Sequence, residues 1–293
     1  MIFLILSIVF MAGMPVVLRA ATREGASPWV LNSVFRIIGG GVALVSLGTV
    51  SRSLGSSLTM ELVAAMVLGG ACYWLTAYAS THAIREGHLG ITWTVTRFGM
   101  VVPTLASLFY FGEFALLTER GLSSLLGGLL LVMLAILLFA VDQVRHYQKT
   151  GTLQVTWKWA IWLVLAFLTM GAWETSLAYA GNLPDDPSRF LFLHGVFLTS
   201  GLFSVFLLVG GKRTPTRIEW KYGLLAALCA VVGSGLRPWA VMELGGRIVF
   251  PLTAIGVMML VQVAGQGIWK ERVGRWGWTG FGAAFLAVWL FRF

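Results

Sequence analysis

The chain has 293 residues, 58% of them hydrophobic and 11% charged, with a mean hydropathy of +0.84. Soluble domains carry roughly 25% charged residues, so lipid must solvate much of this surface, and little length remains for a soluble catalytic or ligand-binding domain. The net charge of +9 gathers at the ends of apolar runs, where it suits anionic headgroups and topology control; this excludes nucleic acid as a partner.

A spanning helix needs about 20 apolar residues, and ten such runs follow in chain order. They lie at 2–20, 27–48, 58–80, 89–111 and 121–141, and then, after a polar linker at 142–158, at 159–180, 189–210, 222–243, 246–268 and 275–292. The first run, MIFLILSIVF, has no basic residue ahead of it and no small-residue cleavage pattern. It reads as a retained span and not a signal peptide. Cys72 and Cys229 both fall inside apolar runs with no metal-ligand spacing, and read as buried free thiols. His82, His88, His146 and His194 form no ligand cluster, so neither metal nor cofactor is expected.

The two halves resemble each other. Glu119, Arg120, Gly128, Ala135, Leu138 and Phe139 fall at one constant offset from Glu271, Arg272, Gly280, Ala287, Leu290 and Phe291. Arg97 and Pro103 correspond to Arg247 and Pro251 with a two-residue shift. The expected fold is therefore all-α and membrane-embedded, with ten transmembrane helices as two five-helix repeats, 1–141 and 159–293. A five-span unit ends on the side opposite its start, so the second repeat enters the membrane inverted. Many secondary transporters are built this way, with a site near the midplane between the repeats.

Several segments resemble the ten-helix EamA-type carriers of the drug/metabolite transporter superfamily. VLNSVFR, carrying Arg36, resembles that family's second helix. GHLGITWTVTRFGMVVPTLASLFYFGE, with Pro103 and Glu113, resembles its fourth, and LLGGLLLVMLAILL its fifth. RIVFPLTAIG followed by IWKE, with Pro251 and Glu271, resembles its ninth, and WTGFGAAFLAVWLF its tenth. The resemblance covers nearly the whole chain and implies a ten-span carrier with both termini inside. Arg97 and Glu174 depart from it, being charged where that family has small or polar residues.

Ionisable groups at bilayer depth are costly and face a partner or a wet cavity. Arg36, Arg97, Glu174 and Arg237 lie within spans, while Glu243 and Arg247 lie near a span boundary. One reading is a polar cavity whose arginines face an anionic group, since the guanidinium fork pairs with carboxylate or phosphate. The other is mutual neutralisation, with Glu174 satisfying an arginine and Glu243 satisfying Arg247 at helical spacing. If no arginine pairs with it, Glu174 also qualifies as a coupling proton site, because burial raises a carboxyl pKa whereas an adjacent arginine lowers it. Glu113 and Glu271 read as helix-capping and loop-anchoring groups.

Trp29, Trp157, Trp159, Trp220, Trp269, Trp276 and Trp278 sit at span ends and read as interfacial belts. Trp74, Tyr78, Trp93, Trp173, Tyr179 and Trp239 lie deeper. They either line a cavity or pack between helices. Basic residues concentrate in loops after odd-numbered spans, including Arg19, Arg23, Lys212, Arg213, Arg217 and Lys221. The positive-inside rule then places both termini outside, opposite to what the family resemblance implies.

These readings converge on a secondary transporter of a small organic metabolite, anionic or zwitterionic, in the plasma (inner) membrane, as monomer or homodimer. Its substrate-binding candidates are Arg36, Arg97, Glu174, Trp74, Tyr78, Trp93, Trp173, Arg237 and Trp239. No nucleotide-binding loop is present, so direct ATP drive is not expected, and no catalytic motif points to an enzyme. A flippase for a lipid or lipid-linked anion is the alternative.

Overall fold

The computed structural model describes residues 1–54, 59–86, 89–116, 119–149, 156–269 and 273–290, and these are helical apart from turns and short connections. In lipid every backbone N–H and C=O must be satisfied internally, which leaves the helix as the default for apolar runs of this length. The helices are α1 (Ile2–Arg23), α2 (Pro28–Leu54), α3 (Met60–Glu86), α4 (Leu89–Phe98), α5 (Val101–Leu105), α6 (Glu119–Lys149), α7 (Trp157–Gly181), α8 (Asp186–Gly210), α9 (Arg217–Gly235), α10 (Arg237–Leu244), α11 (Gly246–Trp269) and α12 (Arg275–Leu290). A π-helical turn, Ala106–Tyr110, follows α5, and a 3-10 turn spans Glu113–Leu116.

Among the described residues, eight helical stretches are long and apolar enough to cross a membrane, α9 and α10 together forming one of them. The chain is thus an all-α, multi-pass integral membrane protein with about eight to ten long apolar helices. α12, at 16 residues, falls just short of that length.

The apolar run at 89–111, expected as one span, is instead broken. Pro103 has no N–H to offer, so the ladder tightens ahead of it. Gly99 N donates to Thr96 O (3.0 Å), Met100 N to Arg97 O (3.2 Å) and Val102 N to Gly99 O (3.1 Å). Beyond the break, Phe111 N reaches back to Ala106 O at 3.0 Å, the wider π spacing. The Pro251 ring, by contrast, lies within α11 and leaves that helix continuous. A second break falls at Leu236, between α9 and α10, just ahead of Arg237 and Pro238.

Two compact units emerge, each built from two segments that lie far apart in the sequence. The first comprises 1–78 and 176–243, the second 79–175 and 244–293. In the first, α2 crosses α8 at a pair of glycines. A Cβ added at Gly40 would lie 3.1 Å from Phe197 O and 3.2 Å from the Gly201 Cα; one added at Gly201 would lie 3.0 Å from Arg36 O and 3.2 Å from the Gly40 Cα. Each glycine therefore rests on the carbonyl four residues before the other, a local two-fold relation made possible by the missing side chains. Elsewhere in this unit α1 meets α9, where the Ser7 hydroxyl donates to Gly233 O at 2.6 Å.

In the second unit α6 pairs with α12. A Cβ at Gly280 would lie 3.2 Å from Ala135 O and 3.4 Å from both Leu138 and Phe139, and one at Gly127 would lie 3.2 Å from Leu290. Phe139 and Phe281 meet edge to face at 5.3 Å. Several residues that match between the sequence halves touch here: Gly280 meets Ala135, Leu138 and Phe139, and Leu290 meets Gly127. These symmetric pairings, one in each unit, are suggestive of an internal repeat.

Candidate functional site

In the second unit, the break between α4 and α5 sits beside two buried charges, Arg97 and Glu174. Arg97 occupies the last turn of α4. It is eight residues past the helix start, or ~12 Å at 1.5 Å per residue. Gly99 and Gly171 let α7 approach this break: a Cβ at Gly99 would lie 3.0 Å from Phe167 O and 3.2 Å from Gly171 N. That close approach brings Glu174 of α7 alongside Arg97.

Arg97 and Glu174 line one cavity with Met100, Met170, Phe250, Thr253 and Ala254. Its volume is about 10 Å³, the room one water molecule needs. Arg97 is 6% exposed and Glu174 4%, and both are engaged by neighbouring groups. The Trp93 ring lies 5.3 Å from the Arg97 guanidinium, close enough for a cation–π contact. Thr253 is buried, and its hydroxyl has no hydrogen-bond partner among the described residues. Trp173 is buried beside Glu174 in sequence but does not line the cavity. The lining therefore offers one cation, one anion, one unused hydroxyl and an apolar remainder. Among the described residues, this conformation has no room at that cavity for an organic solute.

The first unit holds the other candidates. Arg36 is buried in α2. Its Nη2 donates to Tyr73 O at 2.8 Å, and its guanidinium lies 4.2 Å from the Tyr73 ring centre and 4.5 Å from that of Phe35. Its Nε and Nη1 have no acceptor among the described residues. Trp74 and Tyr78 stack on each other at 5.3 Å, one turn apart on α3, and Trp74 also meets Phe203 of α8 at 5.6 Å. Tyr179 meets Phe192 at 6.0 Å, a packing contact between α7 and α8. Arg237, fully buried, opens α10 at the second helix break, with Trp239 half-buried after it.

Two expectations change. Glu243 and Arg247 do not pair at helical spacing, because Gly245 turns the chain between them with φ +80°. Glu243 pairs with the Met1 amino group. Arg247 turns to Glu113, with its Nη1 2.7 Å from Glu113 O and 3.8 Å from Glu113 Oε2. Trp159 is not a belt residue: it is buried against Ala83, with Trp162 and Leu163 nearby. Trp157, Trp220, Trp276 and Trp278 are exposed, as belt residues should be.

Glu113 does cap a helix, but one far along the chain. Its carboxylate accepts from Gly246 N (2.7 Å) and Arg247 N (3.2 Å), the first N–H groups of α11. Glu271, His88 and the 150–155 part of the linker lie outside the described residues. The cavity residues not foreseen, Met100, Met170, Phe250, Thr253 and Ala254, are uncharged. Their one sequence signal was position, flanking Arg97, Glu174 and Pro251.

No family model and no curated protein matches the sequence. The fold is similar to that of a solved crystal structure, described only as that of a protein, with a TM-score of 0.71 and 15% identity over 99% of this chain and 96% of the other. At that identity the likeness concerns the fold alone. The chain is an all-α, multi-pass membrane protein with symmetric helix pairing.

Proposed function

We propose that the protein is a secondary transporter that moves a small zwitterionic or anionic metabolite by alternating access, without ATP and without catalysis. In this reading ten helices form two inverted five-helix repeats, 1–141 and 159–293, joined by the linker at 142–158, as in the EamA-type carriers the sequence resembles. It works in the plasma (inner) membrane, as monomer or homodimer. The observation that carries the proposal is the pairing of opposite charges, Arg97 and Glu174, around one cavity beside a broken helix. Discontinuous helices mark the sites of many carriers, because a break frees backbone and side chains to meet a solute.

One charge of each sign favours a zwitterion of the amino-acid kind over a plain anion. Arg97 takes its carboxylate and Glu174 its ammonium, while Met100, Met170 and Phe250 receive an apolar side chain. Binding then requires the cavity to open beyond its present size. A proton and the ammonium compete for the same Glu174 carboxylate, which yields proton-for-solute exchange. Arg36, Arg237, Trp74, Tyr78, Trp93, Trp173 and Trp239 remain candidate substrate-binding residues.

The test is counterflow of labelled neutral amino acids and of dicarboxylates in proteoliposomes. The proposal expects zwitterion counterflow that Arg97→Gln abolishes, and gradient-driven uptake that Glu174→Gln uncouples from pH. Unchanged pH-gradient-driven uptake in Glu174→Gln would remove the proton role. Absence of any solute flux, together with movement of a labelled anionic lipid between leaflets, would replace the carrier by a flippase.

A further inference from the structure

One end of the first unit is strongly basic. Ser27 N donates to Glu219 Oε1 at 2.9 Å, Tyr222 donates to Glu24, and the Arg213 guanidinium lies 5.8 Å from the Trp29 ring centre. These contacts gather the end of α1, the start of α2, the end of α8 and the start of α9 on one rim. It carries Arg19, Arg23, Lys212, Arg213, Arg217 and Lys221, all but Arg19 exposed. The rim's two acids, Glu24 and Glu219, are used internally. Glu219 is 1% exposed and completes a capping box with Thr216 at the start of α9.

The opposite end of the same unit carries the other sign. There Glu61, Asp185, Asp186 and Glu243 are exposed, while Arg189 is buried and held to Asp186 at 2.7 Å. Directly below the basic rim the surface turns apolar, with Phe206 and Val209 on α8 and Leu224 and Leu228 on α9 all more than half exposed. Trp220 marks the boundary at 46% exposed. Cations above an aromatic residue above bare hydrocarbon-facing side chains match the depth profile of a phospholipid leaflet. A soluble polyanion would leave the adjoining apolar band unexplained.

We infer that this rim is a docking surface for anionic phospholipid headgroups, and that it holds this end of the first unit in the anionic, cytoplasmic leaflet. The inference does not depend on what the protein transports.

The test compares melting of the full chain in phosphatidylcholine nanodiscs with and without phosphatidylglycerol. One variant is Lys212→Gln/Arg217→Gln/Lys221→Gln, which spares Arg213 and its contacts with Trp29 and Glu219. A control, Arg145→Gln/Lys158→Gln/Arg275→Gln, removes as many exposed cations from the second unit. Phosphatidylglycerol should raise the wild-type Tm by ~4 °C or more. The rim variant should lose that rise yet melt like wild type in pure phosphatidylcholine, and the control should keep it. Equal wild-type melting in both bilayers overturns the inference, as does a rim variant that keeps the full rise. So does an equal loss in the control, which would mean bulk electrostatics. Reproduction of the rise by inorganic phosphate in detergent would mean a small-anion site and also overturns it.

Discussion

Removing the Glu113 carboxylate should loosen the start of α11. The side chain accepts from two backbone donors, Gly246 N at 2.7 Å and Arg247 N at 3.2 Å, and lies 3.8 Å from Arg247 Nη1. Glu113 is buried at 7% exposure, so water does not readily replace it. Loss of the cap in Glu113→Ala costs about 1 kcal/mol. Leaving a buried N–H unsatisfied costs about 1–3 kcal/mol, overlapping the first term. A net loss of about 2–3 kcal/mol corresponds to a Tm lowered by ~5–10 °C at this chain size. Glu113→Gln keeps a carbonyl oxygen for Gly246 N and gives up the charge-assisted part, so it should fall less than half as far. Thermal unfolding of the purified protein in detergent, followed by thiol accessibility at Cys72 and Cys229, reads both. If Glu113→Ala melts within 1 °C of wild type, or Glu113→Gln is as damaging as Glu113→Ala, the capping account is wrong.

Gly70→Ala should be destabilised by about 1–3 kcal/mol, since its Cβ would lie 2.8 Å from Val196 O and 2.6 Å from the Thr199 Cβ, whereas Gly41→Ala, with nothing within 4 Å, should melt like wild type or slightly higher; equal melting of the two would sink the close-packing argument. Arg36→Met should hold or raise Tm, because two guanidinium nitrogens lack acceptors among the described residues and buried charges replaced by apolar groups of similar volume are often neutral or stabilising. The same variant should lose transport, and a marked drop in Tm would show that Arg36 is instead a structural brace. Thr253→Val should cost less than about 0.5 kcal/mol, since it deletes a hydroxyl without a partner among the described residues. Its effect should appear instead in solute affinity measured by counterflow.

Some of this was readable from composition and order because lipid is an exacting solvent. An apolar run of spanning length has to become a helix, so α1, α2, α3, α6, α7, α8, α9 with α10, and α11 follow from hydropathy. The same cost marks the charges that matter. Arg36, Arg97, Glu174 and Arg237, singled out for lying inside apolar runs, are all buried. Gly280 and Ala135, small residues matched to Gly128 and Ala287 in the other half, prove to touch each other.

Tertiary structure decided what those residues meet. Pro103 and Pro251 look alike in sequence, yet one sits in a broken span and the other in a continuous helix. A freed carbonyl can be re-satisfied in several ways, and neighbouring helices choose among them. Glu243 and Arg247 have helical spacing on paper, but the left-handed turn at Gly245 separates them and hands Arg247 to Glu113. Trp159 ends a span in sequence and lies buried against Ala83 in the fold. Arg97 and Glu174 were individually conspicuous, but their shared cavity depends on the backbone approach at Gly99 and Gly171. Solvation fixes which residues enter the membrane and is local to the chain. Pairing within it is set by contacts between distant segments, which no run of neighbouring residues encodes by itself.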